Sequence, residues 1–148
     1  MPLNLSNDAY QQLMQMPKIF MGPRFQLPMD DETLTYTLQA VNSLEAFSLR
    51  VERKTIFELR RSKFNTSFSR EPIFRLEVEG RPHINPDGEK IGRNHVHVYK
   101  EGYGLSWAYP LETFSETLFK NPAEFNSLFA DFCEYCNIEY SGNYQGVI

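Results

Sequence analysis

Apolar and polar residues alternate one by one through much of the chain between residues 34 and 109. Because successive side chains of a strand point to opposite faces of a sheet, this alternation predicts strands with one apolar and one polar face. Turn-forming residues separate the alternating runs, which are 34–39, 47–52, 55–60, 74–79, 95–99 and 105–109. Strands at this spacing predict an antiparallel meander.

Helices are predicted on both sides of these strands. The first spans about residues 7–16, where Ser6 can cap the first turn and Pro17 ends the helix. The second is predicted from Pro122 to about Cys136, and its apolar side chains recur every three or four residues, as a core-facing helix requires. That stripe consists of Phe125, Leu128, Phe129, Phe132, Cys133 and Cys136.

The start of the second helix has a capping signal. Asn121 is a favourable N-cap residue, and Glu124 stands three positions later, as in a capping box. The pattern therefore indicates a strong helix whose apolar stripe covers the sheet.

The fold class predicted from these patterns is α+β, with an antiparallel sheet of five or six strands packed by the C-terminal helix and the short N-terminal one. A chain of 148 residues, 41% of them hydrophobic, suits a single domain over residues 1–148, with 141–148 as a loose tail. No apolar run is long enough for a bilayer, and the first residues lack the features of a signal peptide. The sequence therefore predicts a cytoplasmic protein that does not enter a membrane.

Charge is unevenly distributed along the chain. The net charge of -4 argues against nucleic-acid binding by bulk charge alone. Basic side chains nevertheless concentrate between Arg50 and Arg75, whereas Lys120 is the only base after Leu111. Two interpretations stay open: solvated strand and helix faces, or a sheet whose polar face meets a polyanion.

All three histidines lie between Arg81 and Pro110. A strand over 95–99 places His95, His97 and Tyr99 on one face. The turn-forming segment Asn85-Pro86-Asp87-Gly88 can bring His83 back beside that strand. Histidine changes protonation near neutral pH and also binds metals, so the cluster suggests proton transfer or a metal site.

The metal alternative requires partners for the paired histidines. Cys133-x-x-Cys136 could complete a Cys2His2 zinc set with His95 and His97. Both cysteines, however, follow the apolar stripe of a helix, where buried core thiols are the better interpretation. The sequence therefore predicts no metal and no cofactor.

Metal-free acid–base chemistry is the other use of such residues. RNA cleavage at the 2′-hydroxyl needs a base, an acid and cations that stabilise the charged phosphorane. The candidates for proton transfer are His83, His95, His97 and Tyr99, and those for phosphate binding are Arg61, Lys63, Arg81 and Arg93. The open alternative is that the histidines and Tyr99 only decorate a half-exposed strand.

An aromatic segment follows the histidine strand. Leu105, Trp107 and Tyr109 share a face, which suits core packing, base stacking or a partner surface. The candidate partner-binding residues are Trp107, Tyr109, Glu124 and Asp131. P-loop, dinucleotide-binding, zincin and nucleophile-elbow motifs do not occur, so nucleotide-dependent transfer and serine hydrolysis have no support.

The segments PHINPDG at 82–88, NHVHVYKEGYG at 94–104 and WAYPL at 107–111 resemble those of a family of small bacterial proteins without characterised function, often carried by prophages and mobile elements. The resemblance implies a bacterial or phage source. It also implies a role in mobile-element conflict, as a toxin, a defence component or an inhibitor of defence. No established activity comes with it, so it assigns no catalytic residue.

Two functional classes remain. The favoured hypothesis is an interaction protein, an inhibitor or component of a bacterial defence or toxin–antitoxin system with a bacterial protein as its partner. The alternative is a metal-independent RNase-like toxin with a His/Tyr/Arg site on the sheet, for which RNA is the partner. An acidic chain without a metal, cofactor or known catalytic motif is an unusual nuclease, which favours the first class. Whether the chain is an enzyme, and its oligomeric state, stay open.

Overall fold

Helices frame a long run of strands in the computed structural model, which describes residues 4–22 and 24–141. The described helices are α1 (Asn7–Gln15), α2 (Leu111–Phe114) and α3 (Phe125–Cys136). The described strands are β1 (Lys18–Phe20), β2 (Thr33–Ala40), β3 (Ala46–Ile56), β4 (Leu59–Phe68), β5 (Glu71–Val78), β6 (His83–Ile84), β7 (Lys90–Ile91), β8 (His95–Val98), β9 (Ala108–Pro110) and β10 (Ile138–Glu139).

Eight of these strands form one sheet in the order β10-β1-β2-β3-β4-β5-β8-β9. Every pair is antiparallel except β1 with β10. The α+β class and the antiparallel sheet are confirmed, but the predicted number of five or six strands was wrong. The sheet is larger because the very short strands β1 and β10 extend one edge, where sequence periodicity is too brief to detect.

The predicted strand over 55–60 was also wrong. Phe57 and Glu58 both have positive φ, at 49° and 67°, and form the two-residue turn between β3 and β4. Such turns normally use glycine or asparagine, so the sequence carried no turn signal here. Ile56 and Leu59 are directly paired and so lie on the same face, whereas one continuous strand would place them on opposite faces.

Both predicted long helices form, with one boundary corrected. The Ser6 hydroxyl accepts a hydrogen bond from Ala9 N at 3.1 Å, which confirms the cap of α1. The second helix begins at Phe125, so the predicted start at Pro122 and the capping box were wrong. Glu124 has an extended backbone, and its N–H bonds to Asn121 O in a turn that precedes the helix.

The helix α3 packs on the apolar face of the sheet, as predicted. The Phe132 ring lies 5.4 Å from that of Phe64 in β4 and 5.5 Å from that of Phe74 in β5. Leu49 and Leu76 are fully buried in the same cluster. The strand face turned towards α3 is therefore the core, and the opposite face carries the polar side chains.

A buried lysine ties the two helices to the edge of the sheet. Lys18 Nζ donates to Met14 O at 3.2 Å, to Met16 O at 3.0 Å and to Cys136 O at 2.7 Å. It thus satisfies carbonyl groups at the C-terminal ends of α1 and α3, where helices lack internal partners. Burial lowers the pKa of Lys18 to about 8.

The chain leaves the sheet between β5 and β8 and forms the small hairpin β6–β7, in which His83 pairs with Ile91.

None of the described helices is long and apolar enough to cross a membrane. The predicted loose tail, residues 141–148, lies outside the described residues except for Ser141.

Replacing Phe132 by alanine tests the contact between α3 and the sheet. The ring is fully buried, so we expect the variant to lose about 3–5 kcal/mol of unfolding free energy in denaturant titrations. Phe57→Ala is the matched control, because that ring is 95% exposed and should change stability by less than about 0.5 kcal/mol. Equal unfolding midpoints for wild type and Phe132→Ala would show that α3 does not cover the sheet.

Candidate functional site

The polar face of the sheet carries a row of charged side chains across four neighbouring strands. The register places Glu52 opposite Lys63, Lys63 opposite Glu77, and Glu77 opposite His95. Lys63 Nζ lies 3.6 Å from Glu52 Oε2 and 3.9 Å from Glu77 Oε1. The row alternates in sign, so each charge has an opposite neighbour until the row ends at the histidines.

Two histidines converge on one carboxylate at the end of this row. His95 Nε2 lies 3.2 Å and His97 Nε2 3.3 Å from the same atom, Glu77 Oε2. The other ring nitrogens face backbone carbonyl groups: His95 Nδ1 is 2.7 Å from Gly92 O, and His97 Nδ1 is 2.8 Å from Leu105 O. Each ring is therefore fixed from two sides.

The hairpin β6–β7 brings the third histidine to the same place, as the turn at 85–88 predicted. Asn85 anchors it by donating to Ala108 O at 3.0 Å and accepting from Ala108 N at 2.8 Å. His83 Nε2 donates to Ser106 O at 2.7 Å. The His83 ring centroid lies 4.7 Å from that of His97 and 6.2 Å from that of His95.

The electrostatics of the cluster favour an ionised Glu77. Burial by itself would raise the pKa of this carboxyl, but hydrogen bonds from His95 and His97 and the charge of Lys63 together bring its pKa well below the ordinary value. Space for the carboxylate depends on Gly80, where a Cβ atom would stand only 3.1 Å from Glu77 Oε1. Glu77 is thus a fixed negative charge beside two imidazoles.

An open cleft of about 540 Å³ gives access to the cluster. Its basic lining residues are Arg61, Lys63, Arg75 and Arg81, and Glu77 is the only acid in the lining within the part of the chain that the structure describes. Arg75 Nε donates to Asn65 Oδ1 at 3.0 Å, which directs the guanidinium group along the polar face. The cleft is therefore basic although the whole chain is acidic.

Three of the four predicted phosphate-binding residues line this cleft, and the fourth does not. Arg93 lies beside Glu79, with Nε 3.7 Å from Oε2, and lines a different cavity with Leu111 and Pro122. Arg93 comes just after the β6–β7 hairpin in the sequence, at the point where the chain returns to the sheet.

Tyr99 is placed apart from the histidines with which it was grouped. Strand β8 ends at Val98, so the predicted alternation stops one residue before the tyrosine. The Tyr99 hydroxyl accepts from Leu5 N at 2.7 Å and donates to Leu5 O at 3.1 Å, and its ring contacts Tyr10. Its observed contacts anchor the N-terminal segment.

The predicted partner-binding residues do not share one environment. Trp107 is half-buried under Lys100, whose Nζ lies 4.7 Å from the ring centroid, whereas Tyr109 is exposed. Glu124 is exposed before α3, and Asp131 Oδ2 accepts from Phe119 N at 2.9 Å. Asp131 therefore fixes the segment before α3, while Tyr109 and Glu124 present side chains to solvent.

The main residues missed by the sequence analysis are Glu77 and Arg75. Alternation places both on the polar face of β5, which was visible in the sequence. The sequence did not reveal that β5 pairs with β8, because the β6–β7 hairpin separates the two strands along the chain. This pairing sets Glu77 opposite His95 and Arg75 opposite His97.

The donor atoms present could hold a metal ion. One ligand atom each from Glu77, His95 and His97 lies within 4.8 Å of the others. The cysteines considered as zinc ligands are fully buried in α3, and Thr66 Oγ1 lies 3.9 Å from Cys136 Sγ. The donor set assembled by the fold is thus carboxylate and imidazole, whereas the sequence had paired the histidines with thiols.

The comparisons with known proteins identify the family. The chain belongs to a family of unknown function, DUF6978, whose model matches residues 5–138. No curated protein and no solved structure matches the chain. Family membership agrees with the sequence-based resemblance to uncharacterised proteins.

Thiol reactivity tests the placement of the cysteines in the core. Burial raises the pKa of both thiols, that of Cys136 to about 12, so the reactive thiolate is scarce in the folded protein. We expect no reaction with Ellman's reagent at about pH 8 in the folded protein, and reaction of both thiols after unfolding in guanidinium chloride. Rapid modification of the folded protein would place a cysteine at the surface.

Proposed function

We propose that this member of the family cleaves RNA, and that the cleft lined by the histidines binds the scissile phosphate. The observation that carries the proposal is the convergence of three imidazoles and Glu77 with four basic side chains in one cleft. Proton-transfer groups and phosphate-binding groups are thus within reach of the same ligand, as phosphodiester cleavage requires.

Local electrostatics support an anionic ligand despite the net charge of -4. Arg81 is exposed at the cleft, and no ion pair involves it within the described residues. Arg61 Nε donates to the carbonyl oxygen of Glu79 at 3.2 Å, which leaves the charge of its guanidinium without a carboxylate partner among those residues. Clustered basic groups in a cleft raise the local concentration of a phosphate-bearing chain.

The chemistry requires two groups of opposite role. A base removes the proton of the 2′-hydroxyl, this oxygen attacks phosphorus, and an acid gives a proton to the departing 5′-oxygen. His83 supplies one group at the cleft, and the adjacent cluster of Glu77, His95 and His97 supplies the other. Lys63, Arg75 and Arg81 stabilise the charge that builds on the phosphorane oxygens.

RNA cleavage by the purified protein tests this proposal. We expect cleavage of single-stranded or structured RNA, and a decrease of about 10²–10⁴-fold in rate for His83→Ala because one proton-transfer group is lost. The variant should unfold at nearly the wild-type temperature, since His83 is only half-buried. Absence of cleavage across RNA types, or full activity of His83→Ala, would contradict the proposal.

A matched pair of arginines tests the phosphate-binding surface. Arg81→Ala should weaken RNA binding and reduce its dependence on salt, because one phosphate contact is lost. Arg93→Ala is the control, since this arginine lies outside the cleft beside Glu79. Equal loss of RNA binding in both variants would place the RNA elsewhere.

The second candidate is an interaction protein in bacterial defence or a toxin–antitoxin system, encoded by a phage or mobile element. It is favoured by Phe57, an aromatic ring that is 95% exposed at the tip of the β3–β4 hairpin, because aromatic side chains are enriched at protein interfaces. Tyr109 and Glu124 are further exposed candidates. If this function holds, Phe57→Ala, Tyr109→Ala or Glu124→Lys should break partner binding, whereas His83→Ala should have little effect.

A further inference from the structure

The tautomers of His95 and His97 are set by their backbone contacts. Each Nδ1 faces a carbonyl oxygen, at 2.7 Å from Gly92 O and 2.8 Å from Leu105 O. A carbonyl oxygen only accepts hydrogen bonds, so each Nδ1 carries the proton. In a neutral imidazole the Nε2 atom then holds a lone pair.

Both of these Nε2 atoms point at one carboxylate oxygen, Glu77 Oε2, at 3.2 Å and 3.3 Å. A carboxylate oxygen also offers only lone pairs, so three electron-rich atoms face one another unless a proton or a metal ion lies between them. Protonation of both rings would satisfy Glu77 through two hydrogen bonds. A divalent cation bound between the three atoms carries the same total charge and engages all three lone pairs at once.

We infer that Glu77 Oε2, His95 Nε2 and His97 Nε2 bind one divalent transition-metal ion, with zinc as the ion of reference. In a tetrahedral site with metal–ligand bonds of about 2.0–2.2 Å, neighbouring ligand atoms lie roughly 3.4 Å apart. The two distances to Glu77 Oε2, 3.2 Å and 3.3 Å, match that spacing. Two histidines and one carboxylate are a donor set that zinc and iron(II) use when a coordination position must stay open.

The surroundings of the three ligands support the same assignment. Metal-bound histidines usually donate their second ring N–H to a carbonyl or carboxylate, as both Nδ1 atoms do here. Lys63 Nζ, 3.9 Å from Glu77 Oε1, faces the other carboxylate oxygen and leaves Oε2 for the ion. The site is built from β5 and β8, whose pairing fixes the ligands on rigid backbone. This inference departs from the sequence-based expectation of a metal-free protein.

The position of the site suggests what the ion would do. All three ligand residues line the cleft that also contains Arg61, Arg75 and Arg81, so a phosphate group entering the cleft would meet the ion. A divalent metal polarises a phosphoryl oxygen or lowers the pKa of bound water. His83, whose Nε2 donates to Ser106 O, keeps Nδ1 for proton transfer. This role rests on the proposed RNA cleavage, whereas metal binding itself does not.

Calorimetric titration of chelator-treated protein with Zn²⁺ tests the site. We expect one ion per chain, with a Kd below about 1 μM. Glu77→Gln and His97→Ala should each weaken binding by at least about 10–100-fold. Glu89→Gln is the control, since this carboxylate is exposed on the hairpin and lies outside the cleft lining. Cobalt(II) should bind without the intense near-ultraviolet band of a thiolate ligand, which separates this site from one that uses Cys133 and Cys136.

A second measurement covers the case in which a ligand variant fails to fold. Zn²⁺ should raise the thermal unfolding temperature of the wild-type protein, because an ion that binds only the folded state stabilises it. Absence of one-to-one binding by zinc, cobalt or nickel, or unchanged binding in folded Glu77→Gln and His97→Ala, overturns the inference.

RNA assays separate this inference from the proposed function. Stoichiometric zinc binding at these ligands by a protein that cleaves no RNA sustains the metal site and refutes RNA cleavage. Cleavage that persists in a chelator, by a protein that binds no metal, sustains RNA cleavage and refutes the metal site.

Discussion

The register between β5 and β8 is the constraint on which the candidate site depends. It sets Glu77 opposite His95 and Arg75 opposite His97, while Leu76 opposite Val96 and Phe74 opposite Val98 continue the apolar face. Because side chains alternate with a period of two, a slip of β8 by one residue would turn its histidines towards the core and away from Glu77. Packing of α3 on Phe74 therefore holds the site in register from the other side of the sheet.

The two faces of the sheet have separate roles: one forms the core, and the other carries the candidate site. The apolar face is closed by α3, whose Phe129 and Phe132 belong to the buried core. The polar face buries His95 completely and His97 to 5% exposure, which would cost free energy if their ring nitrogens lacked partners. Carbonyl groups of Gly92 and Leu105 supply partners for one nitrogen of each ring, and the other nitrogen of each ring faces Glu77 Oε2 at the wall of the cleft.

The net charge of the chain and the local charge of the cleft have opposite signs, so net charge is a poor guide to the ligand that the cleft suits. Acidic residues gather towards the C-terminal part, whereas the cleft gathers four basic side chains from β4, β5 and the segment before β6. A phosphate-bearing ligand responds to the local field of the cleft more than to the net charge of the chain, since screening confines charge effects to about 10 Å in salt. An acidic protein can thus offer a basic site.

The sequence by itself determined the α+β class, most of the alternating strands, both long helices and the return of His83 to the histidine strand. Each of these follows from local periodicity, a cap or a turn, which short segments encode. Tertiary structure alone decided the partners: the pairing of β5 with β8 across a hairpin, the buried contact of Lys18 with the C-terminal ends of α1 and α3, and the removal of Tyr99 and Arg93 from the cluster. The role of Glu77 was also decided by the tertiary structure. Its carboxylate meets the histidines only because β5 and β8, which are not adjacent in the sequence, pair in the sheet. No local sequence pattern predicts which strands will pair.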